Sequence, residues 1–190
     1  ARIVESLYKT NLTDIYISIR YKGNDIVGYF DKRKDLSVKI KYLREDEPLG
    51  TAGCLSMLPK DHTKNTIVIN GDILSSINYD QLVNFHSSTK KKVTMCTAQY
   101  DISIPFGTLM IKGTKLVDLE EKPTKKFFIN AGVYVINNPI IYKLKKNMFC
   151  NMTDIIEDNI KKNNVAVFPL HEQWLDIGDH ENYKKAQKIK

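Results

Sequence analysis

Two aspartates in this chain stand where a carboxylate could hold a hard cation. Asp72 follows Thr66-Ile-Val-Ile-Asn70 and Gly71, and Asp176 lies inside Trp174-Leu-Asp-Ile-Gly178. Carboxylates from two separate strand ends can share one magnesium ion and leave coordination positions for phosphates and water. Taken singly, each also reads as a helix cap, a turn residue or half of a surface ion pair. In Leu49-Gly-Thr-Ala-Gly53, Gly50 and Gly53 flank small residues, which permits close approach of a planar base or a phosphate to backbone amides. A helix-start turn explains the same residues, and neither the phosphate-loop nor the three-glycine dinucleotide pattern is present. Glu121-Lys122-Pro123 combines an acceptor for sugar hydroxyls with a cation for phosphate, and Asn130-Ala-Gly132 offers an amide beside a small-residue surface. The histidines at 62, 86, 171 and 180 lack metal-ligand spacing, and Cys54, Cys96 and Cys150 have the apolar neighbours of buried thiols.

Positioning these groups requires alternating elements. Helical apolar spacing runs through Ile3, Val4 and Leu7, followed by a strand at Ile15–Ile19 and a second helix from Gly23. Val38 to Leu43 reads as a strand, with a short helix after Thr51. Thr66 to Asn70 has the composition of a strand covered on both faces. A helix over Asn78 to Thr89 follows, then short strands at Val93–Tyr100, Gly107–Lys112 and Lys115–Leu119, and a long one at Phe127–Ile136. Helices are expected over Pro139–Lys146, from Asn151, and over Asp179–Lys188, with a strand at Val165–Phe168. Repeated strand–helix alternation predicts one α/β domain: a mostly parallel sheet with a small antiparallel elaboration.

The 190 residues suffice for one substantial core. Lys and Arg total 29 against 22 Asp and Glu, a formal charge of +7, but arginine occurs only at 2, 20, 33 and 44. Scattered lysines without a sustained arginine or aromatic stripe argue against a nucleic-acid surface and suit a small polyanion such as a nucleotide. No apolar run is long enough to span a bilayer, and three cysteines form no paired framework. A soluble protein of a reducing compartment, the cytoplasm, is expected.

In this order, Leu49-Gly-Thr-Ala-Gly53, Asn70-Gly-Asp72, Glu121-Lys-Pro123, Asn130-Ala-Gly-Val133 and Trp174-Leu-Asp-Ile-Gly178 resemble the motifs of the sugar-phosphate nucleotidyltransferases. The resemblance covers essentially the whole chain. His171-Glu-Gln-Trp-Leu-Asp176 looks most like the bacterial enzymes that activate sugar-1-phosphates, including guanylyltransferases. It implies a Rossmann-like three-layer fold and the reaction of a nucleoside triphosphate, GTP favoured, with a sugar-1-phosphate to give a nucleoside diphosphate-sugar and pyrophosphate. A hexosamine- or heptose-like acceptor is implied.

By the same resemblance, Asp72 and Asp176 are the magnesium ligands, and Gly50 and Gly53 face the nucleotide base. Glu121 and Lys122 meet the sugar phosphate, and Asn130, Gly132 and Gly107 line the sugar pocket. Asp72, Lys122 and Asp176 are thus the expected catalytic set, Asp72 also touching nucleotide. Relatives of this kind can carry an upstream regulatory domain and form homo-oligomers.

The pattern departs at its beginning. Residues 1–7 resemble the helix that follows the family's first strand and glycine-rich triphosphate loop, so about 40 residues are expected to be missing, including that phosphate cradle. Residues 1–190 therefore read as an incomplete catalytic domain, inactive alone though its parent is an enzyme. Two other readings are a nucleotide- or sugar-binding module without turnover and a regulatory α/β protein-interaction domain.

Overall fold

A computed structural model describes residues 1–10, 14–36, 38–60, 63–178 and 180–188. The aspartate at 179 expected to open the last helix and His62 lie outside the described residues. Helix α1 (Arg2–Tyr8) leads to β1 (Ile15–Ile19), α2 (Gly23–Asp31) and β2 (Ile40–Arg44). A single-turn 3-10 segment, Gly53–Met57, precedes β3 (Asn65–Ile69), β4 (Ile73–Ser75) and α3 (Tyr79–Thr89). Then come β5 (Val93–Ser103), β6 (Thr108–Lys112), β7 (Lys115–Glu120) and β8 (Thr124–Asn137). The chain finishes through α4 (Asn138–Ile141), α5 (Met152–Ile160), β9 (Val165–Pro169), β10 (Trp174–Asp176) and α6 (His180–Lys188).

Most expected elements are present, and the differences are local. The helix expected over Pro139–Lys146 shortens to the four residues of α4. The short strands β4 and β10 had no counterpart in the sequence reading, because three residues carry no usable periodicity.

The main sheet has the order β3-β8-β5-β9. β3, β5 and β9 run in one direction, as a mostly parallel sheet requires, and β8 runs against both of its neighbours. Period-two alternation along the strands separates two cores. Ala131, Val133 and Val135 of β8 join Val4 and Leu7 of α1 and Leu82 of α3 on one face. Tyr134 and Ile136 join Ile141 of α4 and Met152, Ile155 and Ile156 of α5 on the other. Both sheet faces are thereby covered, giving three layers. The 5.2 Å edge contact between Phe85 of α3 and Phe168 of β9 closes the first face.

Two findings depart from the expected packing. β1 pairs with β2 in parallel but forms a separate sheet from β3 among the described residues. Consequently β3, whose Ile67-Val68-Ile69 reads as covered throughout, is only half-buried along its whole length. Its composition is that of an interior strand, and its position is that of an edge.

The cysteines behave as structural thiols. Cys96 is buried, and burial pushes its thiol up to about 12, which keeps it protonated and unreactive near neutral pH. Cys54 and Cys150 are half-buried, with thiols also raised by burial. Among the described residues, no helix is long and apolar enough to cross a membrane.

A polar group is built into the sheet–helix junction. Buried His86 of α3 lies 2.8 Å from Thr94 Oγ1 and 2.7 Å from Asn137 Oδ1, tying the helix to β5 and the end of β8. His86→Leu should lose roughly 1–3 kcal/mol, because it strands a buried hydroxyl and an amide oxygen. Urea denaturation of the variant checks this, with a lower midpoint and an unchanged slope expected.

Candidate active site

The site is assembled by the pairing of β4 with β10. These strands are antiparallel, with Asp176 opposite Ile73, and Ile177 N–H donates to the Asp72 carbonyl at 2.9 Å. Asp72 and Asp176 therefore emerge side by side. Their carboxylate oxygens lie 3.8 Å and 3.0 Å from where a Cβ on Gly178 would stand. Gly178 N–H donates to Asp176 Oδ1 at 2.8 Å, which fixes that carboxylate. Among the described residues, neither aspartate has an ion-pair partner. Two exposed carboxylates sharing one place repel each other, and a cation between them would remove the penalty. Among the described residues no cluster of three or more His, Cys, Asp or Glu forms a metal cage. This donor set is a half-shell of hard oxygens, which fits magnesium completed by phosphate and water rather than zinc.

What holds β4 and β10 together comes from β8. Trp174 Nε1–H donates to the Ala131 carbonyl at 2.8 Å, anchoring β10. Asn70 N–H donates to the Gly132 carbonyl at 2.9 Å, anchoring the turn before β4. Gly132 has φ +70, and a Cβ there would stand 2.9 Å from both Asn70 Nδ2 and Ile73 Cγ1. Its glycine is needed for both conformation and clearance. Asn130 is committed to its own strand: Nδ2–H donates to Tyr134 Oη at 2.7 Å, and Oδ1 accepts from Gly132 N–H at 3.0 Å. Asn130 and Gly132, singled out as sugar-pocket residues, thus shape the support beneath the aspartates.

The two glycines of the first motif are also engaged by the protein. Gly50, with φ +73, sits where a Cβ would lie 2.6 Å from the Cys150 carbonyl oxygen, and one on Gly53 would lie 2.5 Å from that of Met148. Gly50 and Thr51 still line a cleft of about 1180 Å³ that also reaches Asn70, Gly71 and Asp72. Gly53 is buried and is not among the residues that line the cleft.

Gly107 and Glu121 form a second grouping near the exposed β6–β7 hairpin. A Cβ on Gly107 would stand 2.9 Å from Glu121 Oε2, so the predicted sugar-side glycine and carboxylate do meet. Lys122 is exposed and has φ 46, a left-handed conformation that turns the chain into β8. The cleft's described lining includes Asp72 but none of Gly107, Glu121, Lys122, Asn130, Gly132 or Asp176. Sequence reasoning did not identify the anchoring roles of Trp174 and Asn70. The chain's only tryptophan, two residues before Asp176, was the available signal.

In open α/β sheets ligands bind beyond the carboxyl ends of the strands, which is where Asp72 stands after β3. The chain belongs to the nucleotidyl transferase family, whose model matches residues 1–190. It is 28% identical over 185 residues to the D-glycero-alpha-D-manno-heptose 1-phosphate guanylyltransferase of Aneurinibacillus thermoaerophilus, covering 96% of this chain and 80% of that one. It is 26% identical over 189 residues to mannose-1-phosphate guanyltransferase 2 of Candida glabrata, covering 95% of this chain and 52% of the relative. The chain thus spans about half the length of the mannose-1-phosphate relatives it matches. The crystal structure of HddC from Yersinia pseudotuberculosis complexed with GMP-PN superposes with a TM-score of 0.75 at 26% identity, over 100% of this chain and 84% of that one.

Gly132→Ala tests the support. The variant should lose roughly 1–3 kcal/mol, from a strained φ and the collision with Asn70 and Ile73. Hydrogen exchange should locate the loosening in β4 and β10, whereas Gly71→Ala, with open space at its Cβ, should leave both strands protected.

Proposed function

We propose that the parent protein transfers GMP from GTP to the 1-phosphate of a manno-configured sugar, releasing pyrophosphate. The observation that carries this reading is the convergence of Asp72 and Asp176 beside a cleft that also reaches Gly50. Support for the substrates comes from the relatives: their names specify mannose-1-phosphate or D-glycero-alpha-D-manno-heptose 1-phosphate, and guanylyl transfer. The manno configuration common to both replaces the wider hexosamine-or-heptose expectation.

The reaction asks little proton chemistry of the protein. A sugar 1-phosphate is already anionic near neutral pH, so its oxygen attacks the α-phosphorus of GTP without a strong base. The bond from that phosphorus to the bridging oxygen of pyrophosphate breaks as the new one forms. The barrier lies in aligning two anions and stabilising the charge that moves onto the leaving group. Asp72 and Asp176 would hold magnesium, which supplies positive charge for the transferring phosphate. Glu121 selects among sugar hydroxyls, Lys122 meets the acceptor phosphate, and Gly107 leaves room beside Glu121. In this reading the cytoplasm, with its nucleoside triphosphates, is the site of action.

Pyrophosphate release by the full-length parent protein, with each of the four common nucleoside triphosphates against mannose- and heptose-1-phosphate, tests the assignment. GTP with one of these acceptors should give turnover that stops on chelation of magnesium. Preference for UTP or dTTP, or turnover insensitive to chelator, would reject it. In the same protein, Asp72→Asn or Asp176→Asn should reduce turnover by roughly 100-fold or more, the scale for losing an essential electrostatic contact.

Lys122→Ala should raise the KM for sugar 1-phosphate more than that for GTP, since it removes a cation expected at the acceptor. Steady-state kinetics with the other substrate saturating reads the difference, and equal effects on both constants would remove Lys122 from the acceptor side.

A further inference from the structure

The amino ends of the parallel strands in the main sheet gather a charge that the proposed reaction does not use. Asn65 of β3 lies opposite Asn137 of β8, and Val93 of β5 lies between Ile136 of β8 and Val165 of β9, all at one end of the sheet. Backbone hydrogen bonds tie the junctions there together. Lys92 N–H donates to the Asn164 carbonyl at 3.0 Å, Asn137 N–H to that of Lys92 at 2.9 Å, and Asn138 N–H to that of Lys64 at 3.0 Å. Lys91 Nζ donates to the Asn163 carbonyl at 2.7 Å and to its side-chain oxygen at 3.0 Å. Lys64, Lys90, Lys91, Lys92, Lys161 and Lys162 thereby meet at one face, and all but half-buried Lys91 are exposed. Residues 63–66, 87–94, 135–138 and 159–166 contain no Asp or Glu. Among the described residues, only Lys161 of these lysines has an ion-pair partner, Asp158 at 4.0 Å, and both side chains of that pair are exposed. A lysine at the end of a helix complements its dipole, which accounts for Lys90 after α3 and Lys161 after α5. It does not account for Lys64 or Lys92, which precede strands.

We propose that this face docks on an anionic lipid bilayer. Three features select that partner. Lysine is a point charge without the planar fork of arginine, so it suits phosphate headgroups that have no fixed geometry. The same four stretches hold no arginine and no aromatic residue, the groups that read or stack nucleic-acid bases. Ile160, the last residue of α5, is 59% exposed directly before Lys161 and Lys162. An apolar side chain among cations matches the boundary between headgroups and acyl chains. The orientation follows from the sheet. Asp72 lies beyond the carboxyl end of β3 and Asp176 beside it, so a bilayer against the amino ends leaves both aspartates on the aqueous side. Attachment is electrostatic and reversible, because one isoleucine is too little apolar area for stable anchoring.

Cosedimentation of the full-length parent protein with vesicles tests this. No nucleotide, sugar or magnesium is present, so the result does not depend on whether GMP transfer is the reaction. The protein should bind vesicles of phosphatidylglycerol and phosphatidylcholine in equal parts, ignore phosphatidylcholine alone, and detach at high salt. Each lysine removed from such a surface should weaken binding roughly fivefold. Lys64→Gln, Lys92→Gln, Lys161→Gln and Lys162→Gln combined should therefore weaken it by at least about 100-fold. A control combining Lys112→Gln, Lys115→Gln, Lys125→Gln and Lys126→Gln has the same net charge and should bind within about threefold of the parent. All of these side chains are exposed, so both variants should melt with the parent. Ile160→Ser should weaken vesicle binding roughly fivefold and leave binding to duplex DNA unchanged. Absence of binding to the anionic vesicles overturns the proposal, as do equal losses in the two lysine variants, which would make net charge the cause. Tighter binding to duplex DNA than to the vesicles at the same salt also overturns it, by making nucleic acid the partner.

Discussion

The three-residue pairing of β4 with β10 is the contact on which the site depends. It is too short to persist alone, and the long strand β8 stabilises it from beneath through backbone carbonyls of Ala131 and Gly132. The consequence is electrostatic. Asp72 and Asp176, 104 positions apart in sequence, are held with carboxylate oxygens 3.8 Å and 3.0 Å from where a Cβ on Gly178 would stand, near enough for their charges to oppose each other. A rigid support is what makes such an arrangement tolerable, because flexible strands would separate and relieve the repulsion.

β8 has a double role. Its buried half alternates between two cores and ties the layers together, while its first half runs out beside β5 into exposed structure. The transition falls at Asn130 to Gly132, where side-chain hydrogen bonds and a left-handed glycine reshape the strand. On β5 the pairing register shifts between Met95 and Thr97, opposite this region. Such irregularities re-aim backbone and side chains, and here they lie directly under the aspartates. The hairpin beyond carries Leu109, Ile111, Leu116 and Leu119 exposed, and nothing in the structure shows what covers them.

The candidate residues divide according to how they use their chemistry. Asp72 and Asp176 present exposed carboxylates, and Glu121 and Lys122 are exposed. Gly53, Asn130 and Gly132 instead make internal contacts. Glycine has no functional group to offer, so its presence in a motif records close approach by something, and at Gly50 and Gly53 that something includes the protein's own carbonyls. A family motif can thus be essential for the support of a site as well as for its chemistry.

Local chemistry made much of this legible before the tertiary structure. Apolar periodicity located Ile15–Ile19 exactly and α3, β6 and β9 closely, because each is long enough for its hydrophobic face to repeat. The ordered motifs indicated the family, and Asp72 stood out by following a β-branched run. Three matters were decided only in three dimensions. β4 and β10 are defined by each other's hydrogen bonds, so neither exists as a pattern in its own segment. The distance between Asp72 and Asp176 depends on that pairing, since sequence separation carries no information about approach. The half-exposure of Ile67-Val68-Ile69 depends on which strand stands beside it: composition states what environment a strand suits, and only the neighbouring backbone determines whether that environment is there.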